Sequence, residues 1–376
     1  MSDIDNLKGY DFLKKTKMPL EEMSKHVRKK AGNIRRCFAD ILILTYKRDT
    51  TLKAALESAL NQKDFDDYQI IVMDNAGISD IETSTEKLIR SYNDPKIVYY
   101  QQDEEFILQH RDLNIALANS LYMEADAEWV CMMHDDDILS EDYLKLMSAV
   151  VNKYDDIEGV ISDLNMIVCE SDDNAPLIEY SKRPGPESSR LLRITEKKYP
   201  DRYVHFVLGA FMKLSLVKEI GGYPCDYKLP GFSGMSDFVF AVKYAYYHKT
   251  FFLCDSLYGY RISAGSSSAR KDIWKSIHTC RAYFIRSVAA RYPFPFNVIM
   301  KAAADYETID QIGALNDPEK NIFRDDHHLD VEKMLKDCDI KTYSGVFGRK
   351  RRLLVEKLAV RIRKKYTSSD IRTVEF

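Results

Sequence analysis

The chain has 376 residues, 45% hydrophobic and 30% charged, with a formal net charge of -3, a balance that suits a soluble protein with one large core or two modest ones. Acidic residues gather in the middle and basic ones near both ends, which argues against nucleic acid as the partner of the body. The seven cysteines, Cys37, Cys131, Cys169, Cys225, Cys254, Cys280 and Cys338, are widely spaced without a C-x-x-C pair, which reads as reduced, buried thiols in a cytosolic protein rather than a disulfide or zinc framework.

The opening MSDIDNLKGYDFLKK has no apolar core of the kind a signal peptide needs, and no later stretch is apolar enough to span a bilayer. Residues 1–38 read as a helical extension. Pro19 suits a first turn, Glu21 and Glu22 suit the positive end of the dipole, and Lys29, Lys30, Arg35 and Arg36 suit the other end. Met23, Val27, Ala31 and Ile34 fall on one helical face, which fits a packing helix first and a membrane-surface or partner helix second.

From Ala39 the pattern alternates. ADILILTY reads as a buried strand and TLKAALESALNQ as a helix with Leu52, Leu56 and Leu60 on one stripe. YQIIVMDNAG is a strand, IETSTEKLIRSY a helix, KIVYYQQ a strand, NIALANSLYMEA a helix, and WVCMMH a strand that runs straight into Asp135, Asp136 and Asp137. The succession predicts an α/β fold with a mostly parallel sheet flanked by helices and a ligand crevice at the strand C-termini. Neither G-x-G-x-x-G after the first strand nor G-x-x-x-x-G-K-[ST] occurs, so dinucleotide dehydrogenases and P-loop phosphotransferases do not fit.

The predicted strand ends carry a consistent chemistry. Thr45, Tyr46, Lys47 and Arg48 follow the first strand, Asp74 and Asn75 the second, and the three aspartates the fourth. Carboxylates crowded at a buried edge repel one another unless a cation answers them, so the triplet suggests a divalent metal site. A hydroxyl, a basic side chain, an acid for a base or ribose edge and a metal-binding acid together suit a nucleoside diphosphate. Taken singly, each has a structural alternative: a helix cap for Thr45, a surface ion pair for Arg48, a turn for Asp74 and Asn75.

In order, ILTYKR, IIVMDNAG, NIALA, MMHDDDIL, LGAFMKLSLVKEIGGYP, GMSDFVFAVKYA and LYGYRISAGSSS resemble the successive motifs of family 2 glycosyltransferases with a GT-A fold, Rossmann-like, of the bacterial surface-polysaccharide type. The resemblance covers 39–268, followed by a helical C-terminal region at 269–376. It implies that Thr45, Tyr46 and Arg48 lie along the nucleotide, that Asp74, with Asn75 beside it, meets the uracil, and that Arg111 and Asn114 shape the donor pocket. Asp135 would reach ribose or sugar hydroxyls and Asp136 would coordinate Mn²⁺ or Mg²⁺. The match departs at His134, where relatives place an acid, so which of the three aspartates touches the metal stays open. Asp137 is either a second ligand or the cap of a helix starting near Ser140. His134 reads as a hydrogen-bonding neighbour, because hard cations beside phosphate prefer oxygen.

The implied activity is inverting, metal-dependent transfer of a hexosyl or N-acetylhexosaminyl group from a nucleotide sugar, a UDP-sugar, to a hydroxyl of a glycan or lipid-linked glycan acceptor. Asp237, in GMSDFVF, is the candidate general base; its alternative is a helix cap. A sugar nucleotidyltransferase shares the nucleotide and metal needs but normally has a glycine-rich basic loop after the first strand, which TYKRDTTLK lacks. A non-catalytic scaffold that keeps the fold is the other rival.

The stretch 169–200 has a loop composition, and its place suggests either acceptor contact or a passive excursion. Gly209, Gly221 and Gly222 read as turn and close-approach positions, and Tyr244, Tyr246, Tyr247, Phe251 and Phe252 as core. DDHHLD lacks further ligands for a metal site. At 348–365, GRKRRLLVEKLAVRIRKK places Leu354, Leu358 and Ile362 on one stripe among basic residues. That pattern suits either peripheral contact with the inner face of a cell membrane or packing on the body or on a second copy in a homo-oligomer.

Overall fold

The computed structural model of the chain describes residues 10–75, 77–103, 113–168, 190–193, 207–224, 236–262 and 371–373, together with 281, 283–285, 287–288 and 291–292. In chain order these form α1 (Leu20–Ser24), β1 (Val27–Ala31), β2 (Ala39–Thr45), α2 (Asp49–Leu60), β3 (Tyr68–Asp74), α3 (Ser84–Tyr92), β4 (Ile97–Gln102) and α4 (Leu113–Glu124). Then come β5 (Trp129–His134), β6 (Ile138–Leu139), α5 (Tyr143–Lys153), β7 (Gly159–Val168), β8 (Arg190–Arg193), β9 (Ala210–Lys213), α6 (Leu214–Ile220), α7 (Ser236–Tyr247), β10 (Thr250–Ile262) and β11 (Ile371–Thr373).

Among the described residues the strands join one sheet in the order β1-β4-β3-β2-β5-β9-β7-β10-β8-β11, with β6 attached to β10. The run β4-β3-β2-β5 is parallel throughout. Every residue of β2, β3 and β4 is buried, as expected of parallel strands covered on both faces, and this explains their unbroken apolar spelling. β9 runs antiparallel between β5 and β7, and β7 pairs parallel with β10, so the sheet is mixed beyond β5. Leu52 and Leu56 of α2 lie in the same core as Trp129 of β5 and Phe211 of β9, whose rings stack 5.2 Å apart. Tyr244, Phe251 and Phe252 are also buried.

Local signals explain several boundaries. Thr83 caps α3 by accepting the Glu86 N–H at 3.1 Å, and Asn93 ends that helix in the left-handed region at φ 47.

Two expectations are corrected. The N-terminal extension is not a continuous helix: α1 is five residues long, and Val27–Ala31 is a strand antiparallel to β4. Val27 and Ala31 do pack on the core, but a spacing of four fits a strand face as well as a helix face, and the exposed edge of β4 offers backbone partners that the sequence does not reveal. The end of the C-terminal region is likewise not helical, because Ile371–Thr373 pairs with β8 at the far edge of the sheet. The basic segment 348–365 and the sequence DDHHLD lie outside the described residues, as do most of 169–200 and Cys169, Cys225, Cys280 and Cys338. The described cysteines, Cys37, Cys131 and Cys254, are buried. Among the described residues no helix is long and apolar enough to cross a membrane.

Candidate active site

From β2 the chain moves outward through β3 and β4 and then returns to place β5 on the other side of β2. The carboxyl ends of β2 and β5 therefore flank a topological switch point, where adjacent connections leave in opposite directions and open a crevice. Thr45, the last residue of β2, joins the strand ends there. Its hydroxyl donates to Asp135 Oδ2 at 2.7 Å, the Tyr46 N–H approaches the same oxygen at 3.3 Å, and the Thr45 carbonyl accepts the Asn75 N–H at 3.0 Å. Asp74 ends β3 fully buried and accepts the Tyr99 hydroxyl at 2.6 Å. Next to it Asn75 is buried, and its Oδ1 has no hydrogen-bond partner among the described residues; buried amide oxygens are rarely left so, and this one suits a ligand's donor.

The three aspartates have three different settings. Arg48 donates to Asp136 Oδ2 at 2.8 Å and stands 3.6 Å from Asp135 Oδ1. Asp137 is fully buried and faces the sheet: its Oδ2 accepts the Tyr258 hydroxyl at 2.5 Å and its Oδ1 the Arg261 N–H at 2.9 Å. It caps no helix, since α5 begins at Tyr143 with Asp142 at its cap position. Arg261 also donates from Nε to the Asp136 carbonyl at 2.7 Å, so β10 holds the acidic loop from below.

This crowding shows in the protonation equilibria. Burial, then the charge of Asp136, lifts Asp135 to about 6, against the Thr45 hydrogen bond and Arg48. Burial and Asp136 also raise Asp137. For His134 burial pulls the other way, but Asp137, Asp237, Asp136 and Asp135 together outweigh it and raise the imidazole above its usual value. Ligand atoms of His134, Asp136 and Asp137 all lie within 4.8 Å of one another. That separation brings the two carboxylates within reach of one divalent cation, which would share the acidic charge with Arg48, while the imidazole is the less suitable donor for a hard cation.

Asp237 stands in the first turn of α7, partly exposed. Burial raises its carboxyl, while His134 and a hydrogen bond from Tyr223 pull it down. The Tyr223 hydroxyl donates to Asp237 Oδ1 at 2.8 Å. His134 thus feels both the acid triplet and Asp237, which places the two predicted centres within electrostatic reach of each other.

Thr45, Tyr46, Arg48, Asp74, Asn75, Asp135, Asp136 and Asp137 meet along one edge. Arg111 lies outside the described residues, and Asn114 is described only as part of the α4 backbone. Sequence reasoning did not anticipate the roles of Tyr223, Tyr258 and Arg261 as partners of the acids. Each contact joins residues between 14 and 125 positions apart, and no local pattern carries such a link.

Residues 40–215 match the family model described as glycosyl transferase family 2. No curated protein matches the chain. Among solved structures the chain is similar to TarS of S. aureus, with 12% identity over 75% of this chain and 44% of that one, at a TM-score of 0.47. It therefore spans less than half the length of that TarS chain. It is also similar to TarS 1–349 in complex with UDP-GlcNAc, with 12% identity over 80% and 79% of the two chains and a TM-score of 0.49. The mannosyltransferase PcManGT from Pyrobaculum calidifontis, in complex with GDP-Man and Mn2+, gives 14% identity over 92% and 87% and a TM-score of 0.43.

Proposed function

Residues 40–215 are a glycosyl transferase family 2 domain, and from that premise we propose that the chain is an inverting, metal-dependent enzyme. It moves a hexosyl or N-acetylhexosaminyl group from a UDP-sugar to a hydroxyl of a glycan or lipid-linked glycan, in the assembly of a surface polysaccharide. The observation that carries this reading is the Thr45–Asp135 and Arg48–Asp136 pairing across the switch point, beside ligand atoms of His134, Asp136 and Asp137 that lie within 4.8 Å of one another.

The chemistry follows from the groups. Thr45, Tyr46 and Arg48 line the path of the nucleotide, Asp74 and Asn75 meet its base, and Asp135 takes ribose or sugar hydroxyls. Arg111 and Asn114 are further donor-binding residues that the family resemblance implies. Asp136 holds Mn²⁺ or Mg²⁺, and Asp137, fixed by Tyr258 and Arg261, backs it as the second acid. When bound, the cation supplies Lewis-acid neutralisation of the charge that grows on the departing diphosphate. Asp237 accepts the proton of the acceptor hydroxyl as the oxygen attacks the anomeric carbon from the face opposite the leaving group. That direction of attack inverts the centre, so an α-linked donor gives a β-linked product. The lipid-linked acceptor sets the work at the inner face of a cell membrane, with 348–365 as the segment that touches the membrane or a second copy.

The test needs no acceptor. The protein is incubated with UDP-glucose, UDP-galactose and UDP-N-acetylglucosamine in Mn²⁺, and proton NMR follows slow hydrolysis. Release of the sugar first as its β-anomer from an α-linked donor supports the reading; release as the α-anomer, or no donor turned over, overturns it.

A further inference from the structure

The segment Gly221–Gly222–Tyr223, which the sequence marks only as a turn, touches the proposed base. We propose that Tyr223, clamped by Asn119, is a positioning residue that aims the Asp237 carboxylate at the acceptor hydroxyl. The inference rests on the assignment of Asp237 as general base.

Four observations carry it. First, the backbone of Tyr223 is held at two points by one side chain: Asn119 Oδ1 accepts the Tyr223 N–H at 2.8 Å, and Asn119 Nδ2 donates to the Tyr223 carbonyl at 2.9 Å. Asn119 is 2% exposed on α4, a helix packed on β2 and β3, so the clamp ties this loop to the elements that carry the donor-side residues. Second, the approach requires glycine. Gly222 has φ 61, and a Cβ there would lie 2.4 Å from Asn119 Oδ1, so a side chain would push the clamp apart.

Third, the ring is fixed as well as the backbone. Tyr223 is 1% exposed and stacks on Phe240 with centroids 4.5 Å apart and planes 15° from parallel. Phe240 lies three residues after Asp237 on α7, on the same side of the helix. Tyr122 of α4 stacks on Tyr223 at 6.3 Å. The phenol therefore cannot swing without breaking both contacts. Fourth, its hydroxyl donates to Asp237 Oδ1 at 2.8 Å. A carboxylate tethered through one oxygen loses rotation about its terminal torsion and presents Oδ2 in one direction. General-base catalysis demands that direction, because a proton acceptor out of line with the attacking hydroxyl is ineffective whatever its basicity. A turn that only closed the chain would not need a stacked, buried phenol directed at a carboxylate.

The experiment uses the full chain with Mn²⁺ and whichever of UDP-glucose, UDP-galactose or UDP-N-acetylglucosamine is hydrolysed fastest, water serving as acceptor. Tyr223→Phe keeps the ring and its stacking and removes only the hydroxyl. The expected result is a roughly tenfold lower kcat with donor KM and the thermal midpoint unchanged. In the Asp237→Asn background the same change should cost nothing further, since there is no base left to aim. Parental kcat in Tyr223→Phe, or an equal loss in both backgrounds, overturns the inference while leaving Asp237 as the base. Normal turnover by Asp237→Asn alone overturns the base assignment, and no turnover of any donor overturns the proposed function; in either case the inference falls with it.

Discussion

Replacing Asp135 by Asn is expected to stabilise the metal-free protein at neutral pH while removing a carboxylate proposed to bind the donor. The carboxyl is 5% exposed, and burial followed by the charge of Asp136 lifts it from 3.8 to about 6. The folded state therefore keeps a proton that the unfolded chain has already released. For a group raised in this way, its contribution is fully present below the unfolded value and is lost as pH rises through the folded one. The rise from 3.8 to about 6 corresponds to roughly 3 kcal/mol. Asparagine has the same shape, still accepts from Thr45 and never ionises. Urea unfolding in EDTA should thus give nearly equal stabilities near pH 3, below the unfolded value, and a variant more stable by up to roughly 3 kcal/mol near pH 7.5. Mn²⁺ should narrow the gap by favouring the charged parent. A variant no more stable than the parent near pH 7.5 would refute the claim that these carboxylates are held against their own repulsion and desolvation.

Other changes test separate parts of the site. Asp136→Ala should lose high-affinity Mn²⁺ binding, read by electron paramagnetic resonance, while its circular dichroism stays parental. Asp237→Asn should bind the donor as the parent does and lose at least about a hundredfold in kcat, measured as UDP release. Gly222→Ala should lower stability by about 1–3 kcal/mol, because φ 61 and a contact of 2.4 Å with Asn119 both oppose a Cβ; urea melts decide this. Replacing Arg349, Lys350, Arg351 and Arg352 by Gln should abolish co-sedimentation with vesicles containing phosphatidylserine if 348–365 touches the membrane. Substitution is preferable to truncation, since Ile371–Thr373 pairs with the sheet.

The parallel half of the fold was legible because strands buried on both faces spell themselves as continuous apolar runs, and the helices between them keep a period near 3.6. Polar residues that interrupt those runs at their ends, such as Thr45, Asp74 and Asp135, marked the crevice edge for the same reason. What stayed hidden depends on partners far away in the chain. Val27–Ala31 is a strand only because β4 offers an edge, and its spacing satisfies two periods at once. Asp137 spells like Asp136, yet Tyr258 and Arg261 turn it towards the sheet. The Tyr223–Asp237 bond spans a loop and a helix start that share no periodicity.

The central claim is that the switch-point acids and Arg48 form a metal-assisted nucleotide-sugar site. Isothermal calorimetry with UDP, in Mn²⁺ and in EDTA, on the parent and on Asp136→Ala, tests it most directly. The account predicts binding by the parent that Mn²⁺ strengthens at least about tenfold and that Asp136→Ala loses. Binding of equal strength in EDTA, or undiminished Mn²⁺ dependence in Asp136→Ala, would contradict it.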